Sequence, residues 1–308
     1  MKAFVFPGQG AQFPGMAHDL HAASAGVRAR FDEAAEVLGF DIREVMFHGS
    51  EEDLRATDIT QPAIFLHSVV LAEALGDAFV PGVVAGHSLG EFSALTAAGA
   101  LTFADGLALV AERARAMQAA CAVVPSTMAA VLGMEDAEVE RICAEVPGVV
   151  VPANYNCPGQ LVISGEISAV EEACRRLSAA GAKRAIVLSV GGAFHSPLME
   201  PARERLARAI ATTPVAAPRC PLVSNVHATA TTDPDEIREN LVAQLTAPVR
   251  WTQSMHTILG LGASEIIEVG PGTVLQGLFK KVDRGLAVSS AALAEPAQAS
   301  PAMATSPR

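Results

Sequence analysis

By the spacing of its apolar positions, the chain divides into three stretches. In residues 1–124, two short apolar runs, 2–6 and 83–85, read as parallel strands buried on both faces. Residues 31–38, 60–75, 92–99 and 102–118 carry apolar side chains at helical spacing. Thr60 reads as the cap of its helix, with Pro62 in the first turn. The second stretch alternates more tightly. Strands are predicted at 127–132, 149–154, 160–164 and 184–190, and helices at 136–145 and 168–180. Asn156-Cys157-Pro158-Gly159 supplies the turn between the two middle strands. That order, β-α-β-β-α-β, is a ferredoxin-like unit. Afterwards helices (197–211, 234–245, 251–259, 273–281) and short strands (222–224, 265–269) of the first kind resume.

The expected fold is therefore α/β. A large subdomain is built from residues 1–124 and 194–286, with a small ferredoxin-like subdomain, 125–193, inserted. Residues 287–308 are rich in Ala, Pro and Ser without periodicity and read as a disordered tail.

Composition narrows the function. With 308 residues, half of them hydrophobic, the chain can bury a large core. No apolar run is long enough to span a bilayer, and the apolar start is too short for a signal peptide, so no membrane partner and a cytoplasmic location are expected. Five cysteines without a C-x-x-C pair read as reduced thiols rather than zinc ligands or a disulfide framework. A net charge of −11 argues against nucleic-acid binding.

The chemistry centres on Gly86-His87-Ser88-Leu89-Gly90, a G-x-S-x-G between the strand at 83–85 and the helix at 92–99. Strand, motif and helix in that order make a nucleophile elbow. The two glycines spare Cβ atoms in a tight turn, Ser88 is lifted out at the sheet edge, and the Leu89 amide at a helix N-terminus is an oxyanion donor.

A serine nucleophile needs a base. Of eight histidines, His67 lies in an apolar helical run and reads as a core residue; His18, His21 and His48 read as surface; His227 and His256 are undistinguished. His87 leaves the elbow in another direction. His195, in Gly191-Gly192-Ala193-Phe194-His195-Ser196-Pro197, sits in a loop where the two subdomains meet, where a cleft is expected. Glu135, Asp136, Glu138, Glu166 and Glu171, between Ser88 and His195, fall in the insert, and none reads as a triad acid. A backbone carbonyl is left to orient His195 in a Ser-His dyad, which favours transfer over hydrolysis.

Up to about residue 286 the chain resembles the malonyl-CoA:acyl carrier protein transacylases of bacterial type II fatty acid synthesis. Five ordered motifs carry the likeness: residues 6–12, Gly86 to Glu91, Arg113 within 112–118, residues 154–165 with 191–199, and residues 244–249 with 268–272. The resemblance implies an α/β-hydrolase-like large lobe with a ferredoxin-like insert. It implies Ser88 as acylated nucleophile, His195 as general base and acid, and the amides of Gln9 and Leu89 as oxyanion hole. Arg113 would pair with the malonyl carboxylate, and the Gln244 carbonyl would orient His195. Gln12, Asn154 and Gln160 would line the cleft. By its position alone, Arg113 reads instead as an exposed helix charge paired with Glu112 or Asp105; Arg115, two positions on, points to another face. Phe194 would crowd the acyl α-carbon and favour malonyl over methylmalonyl. Malonyl-CoA and acyl carrier protein are the implied partners, with no metal or redox cofactor, and the chain is taken as a monomer. A free-standing acyltransferase of a polyketide synthase and a serine thioesterase or esterase are the alternative readings.

Overall fold

The structure, a computed structural model, describes residues 1–293. Its strands in chain order are β1 (Lys2–Phe6), β2 (Val83–Gly86), β3 (Ser126–Leu132), β4 (Val150–Cys157), β5 (Gln160–Glu166), β6 (Arg184–Val187), β7 (Leu222–Val223), β8 (Ala230–Thr231), β9 (Glu265–Glu268) and β10 (Ala287–Ser290). They form one sheet ordered β10-β9-β1-β2-β7-β8 and another ordered β4-β5-β3-β6.

In the first sheet every pairing is parallel except β7 with β8. Its central strands β1, after Lys2, and β2 are apolar because both faces are covered. Phe4, Phe6 and Val84 enter one core, while Ala3, Val5, Val83 and Ala85 enter the core on the opposite face. The register sets the site: Phe6 pairs with Gly86 and Ala85 with Val223. Three chain segments therefore leave the sheet at one edge, carrying the Pro7 turn, Ser88 and Asn225.

The second sheet is antiparallel, with the βαββαβ connectivity expected of the insert. Period-two alternation gives it two apolar faces. Ala129, Val131, Leu161 and Ile163 pack with residues of helices Asp136–Glu145 and Ile167–Ala179. Met128 and Val162 point the other way, into the first sheet's core. The sheets are stitched by backbone: the Tyr155 N–H donates to the Val249 carbonyl at 2.9 Å, and the Val249 N–H to that of Ala153 at 2.8 Å.

Three expectations are corrected. Ala287–Ser290 is a strand pairing in parallel with β9, so the tail does not begin at 287; apolar Ala287 and Val288 prolong the sheet. The rest of that expectation, from 294 on, lies outside the described residues. The helix expected at 60–75 is Thr57–Ala74, so Pro62 sits within it and Thr60 is not its cap. Its buried apolar wall outweighs the hydrogen bond that Pro62 cannot donate. The last strand of the insert stops at Val187, and Leu188 and Val190 turn toward the cleft instead.

Candidate active site

β2 runs through Gly86 into helix Gly90–Ala97 with only three residues between them. A Cβ on Gly86 would overlap the Gly90 backbone, so the turn admits no larger residue there. Ser88 takes a φ of 52°, a left-handed conformation that costs energy without a glycine. Two side chains hold it. Asn225 accepts from the Ser88 N–H at 2.7 Å and donates to the Gly86 carbonyl at 2.7 Å. The Gln244 side-chain amide donates to the Ser88 carbonyl at 3.0 Å. The Pro7 turn is as close on the other side, since a Cβ on Gly8 would overlap the His87 carbonyl. Gln9 thus reaches the elbow, and Gln9 and Leu89 line the same cavity as Ser88.

His195 arrives from the other subdomain boundary. Its Nε2 lies 2.8 Å from Ser88 Oγ, and its Nδ1 lies 2.9 Å from the Gln244 carbonyl oxygen. Since a carbonyl only accepts, Nδ1 carries the proton and Nε2 is left to receive one from Ser88. Burial, first, and the charge of Arg113, second, push the imidazole down to about 3. It is neutral near pH 7, and protonating it there is costly while Arg113 keeps its charge unpaired.

Arg113 is 1% exposed. It donates to Gln61 Oε1 at 2.6 Å, to Gln244 Oε1 at 3.0 Å and to Ser88 Oγ at 2.9 Å. The Ser88 hydroxyl can thus accept from Arg113 while donating to His195. Among the described residues no carboxylate forms an ion pair with Arg113, and burial brings its guanidinium down to about 10. The reading of Arg113 as an exposed helix charge is therefore wrong: Glu112 pairs with Arg205 and Arg115 instead.

These groups open into a cavity of about 300 Å³ between the two sheets. Phe194, Asn154 and Gln160 line it, together with Met128, Ala130, Val162, Leu188 and Val190. Gln12 does not. Its side-chain oxygen accepts from the Gly10 N–H at 2.8 Å and closes its own turn. The residue was drawn toward the cleft by its place in the loop motif, but a side-chain–backbone bond two residues away satisfies it locally. His87, as expected, leaves the serine; its Nε2 lies 2.9 Å from Asn156 Oδ1, and burial lowers its pKa.

A serine–histidine pair beside a buried arginine, lining one cavity, agrees with the comparisons with known proteins. The family model for the acyl transferase domain matches residues 3–299. A relative from Escherichia coli (strain K12), a malonyl CoA-acyl carrier protein transacylase, is 43% identical over 298 residues, 96% of each chain. The solved malonyl CoA-acyl carrier protein transacylase of Coxiella burnetii superposes with a TM-score of 0.91 at 38% identity, covering 94% of this chain and 93% of that one. A type II polyketide carrier protein in complex with its malonyl-transacylase includes a chain 40% identical, with a TM-score of 0.90 and coverage of 94% and 95%. The chain belongs to the malonyl CoA-acyl carrier protein transacylase family.

Within this transacylase, four site residues were missed from the sequence. Gln61 and Asn225 were unweighted, although a polar residue in an apolar run and one directly after a buried strand are signals of a satisfied partner nearby. Asn156 was read only as part of a turn. Glu91 was quoted within the elbow motif and given no role; it is fully buried, and burial raises its carboxyl to about 7. Nothing in spacing could show that Glu91 and Gln244, 153 positions apart, would meet.

Proposed function

We propose that this transacylase moves the malonyl group from malonyl-CoA to the phosphopantetheine thiol of acyl carrier protein through a malonyl-Ser88 intermediate. The observation that carries the proposal is Ser88 Oγ, 2.8 Å from His195 Nε2 and 2.9 Å from the Arg113 guanidinium. His195 Nε2 takes the Ser88 proton as Oγ bonds to the thioester carbon. The negative oxygen is held by the amides of Gln9 and Leu89. The C–S bond breaks, and His195 returns the proton to the departing CoA sulfur. The carrier thiol reverses the sequence: it loses its proton to His195, attacks the ester carbon, and Ser88 leaves with that proton. Thioester is exchanged for thioester, with no redox step to supply.

Arg113 binds the malonyl carboxylate with its planar fork. Pairing cancels part of the positive charge that suppresses His195, so the substrate's own carboxylate makes the base stronger. Phe194 beside the base selects malonyl over methylmalonyl. The basic pairs Lys183/Arg184 and Lys280/Lys281 meet the acidic carrier; Lys183 and Lys281 line, with Glu135 and Asp136, a groove of about 770 Å³ that shares Gln160 with the catalytic cavity. We place the reaction in the cytoplasm, which five free cysteines support.

The carrier belongs to fatty acid synthesis in the main reading. The likeness to a malonyl-transacylase bound to a polyketide carrier keeps that second carrier class as the other reading. The test is incubation with malonyl-CoA alone, intact mass and adduct mapping, then discharge by carrier proteins of both classes. A malonyl adduct on Ser88 that carrier removes supports the proposal. Free malonate without an adduct identifies a hydrolase and ends it.

A further inference from the structure

Within that transacylase reading, we propose that Glu91 is a positioning residue that acts on Ser88 and His195 through Gln244. Glu91 lies in the first turn of the helix that follows the elbow and has no exposed surface. Its Oε2 accepts from Gln244 Nε2 at 2.5 Å. Gln244 is the junction of the site. Its Nε2 also donates to the Ser88 carbonyl, its Oε1 accepts from Arg113, and its backbone oxygen faces His195 Nδ1.

The amide of a glutamine can face two ways, and the partners decide between them. With Nε2 toward Glu91 and the Ser88 carbonyl, both N–H groups meet acceptors and Oε1 meets the guanidinium. Turned over, Oε1 would face a carboxylate and a carbonyl while the NH₂ faced a cation. The Ser88 carbonyl alone offers one neutral acceptor. Glu91 adds a second acceptor, which locks the amide and with it the segment that presents the carbonyl to His195. Its second oxygen, Oε1, is buried and makes no well-formed hydrogen bond, although the Asn225 backbone N–H faces the carboxyl and lowers its pKa. A carboxyl kept in so poorly satisfied a place has a role other than stability. No hydrogen bond joins Glu91 to Ser88 Oγ or His195; its side-chain bond is to Gln244. The bonds from Gln244 to Ser88 and His195 persist when Arg113 turns to a substrate carboxylate, so the effect falls on kcat rather than on KM.

The test measures single-turnover malonylation of Ser88 by intact mass, with steady-state kcat and KM for malonyl-CoA, in four proteins. Wild type comes first: if it forms no malonyl-Ser88, the transacylase reading fails before this inference is reached. With wild type active, Glu91→Leu removes the acceptor and should slow acylation about ten- to a hundredfold, with KM changed less than about threefold. Glu91→Gln, whose side-chain oxygen can accept the same bond, should restore the rate to within about threefold of wild type. Glu91→Asp keeps a carboxyl but withdraws it by one methylene, and should be as slow as Glu91→Leu. It carries the test if Glu91→Leu does not fold. Wild-type rates in Glu91→Leu or Glu91→Asp overturn the inference. So does a Glu91→Gln as slow as Glu91→Leu, or a loss confined to KM.

Discussion

Arg113 and Arg115 stand two residues apart on one helix, Phe103–Cys121, in opposite surroundings. Arg115 has a half-exposed side chain and reaches a carboxylate of Glu112 at 3.4 Å. Arg113 is buried and bonds to two neutral amides and a hydroxyl. The surface arginine is neutralised by a neighbour but gains little, because water screens the pair and both side chains must be ordered. The buried one makes three hydrogen bonds from its terminal nitrogens, leaves its buried Nε without a partner, and keeps its charge. Its nearest carboxyl, Glu91, is separated from it by the Gln244 amide. A cation desolvated at such cost, with no carboxylate in direct contact, is poised for an anion from outside, and the elbow places that anion beside Ser88.

The comparison can be broken at the level of activity. Arg113→Ala should lower malonylation of Ser88 by about 30-fold to several thousandfold, as expected for losing one partner of a desolvated pair. Acetyl-CoA, which lacks the free carboxylate, should be spared. Equal losses for both substrates, measured as kcat/KM, would show that Arg113 supports the fold rather than the charge. A smaller effect sharpens the view that neutral acceptors hold the guanidinium. Gln61→Leu removes the acceptor at 2.6 Å and should cost malonylation about tenfold, again sparing acetyl transfer.

The separated partner gives a pH signature. Glu91 titrates near 7 in the folded protein against 4.5 in the unfolded chain, so folding favours its protonated form. The resulting destabilisation is absent below pH 4.5, accrues between 4.5 and 7, and stays at full size above. Glu91→Gln does not titrate. Denaturant melts should show the variant gaining on wild type by up to about 3 kcal/mol across that window; a constant difference at every pH would place the folded pKa near 4.5. The smallest effect belongs to the surface member: Arg115→Ala should change stability by under about 0.5 kcal/mol and leave acylation untouched. A larger loss in either would erase the contrast between the two arginines.

The sequence by itself determined the elements and picked out Ser88 and His195, which the fold brings to 2.8 Å of each other. Period-two and helical spacing are local, so the βαββαβ order and most helices were legible, and the G-x-S-x-G between strand and helix marked Ser88. His195 was found by a local cue, a Gly-rich loop at the return from the insert. The missing triad acid was legible too, and the structure fills that place with the Gln244 carbonyl.

The sheet register and the fit between subdomains decided the rest. Whether Arg113 faced solvent or cleft depended on which side of its helix the first sheet and insert covered, and helical spacing assigned it to the wrong one. Gln12 carried a motif's promise but bonds within its own turn. Glu91, Gln61, Asn225 and Gln244 form one network from four distant segments. A hydrogen bond between residues far apart in the chain leaves no trace in the pattern of either, because each is chosen for a partner that only folding supplies.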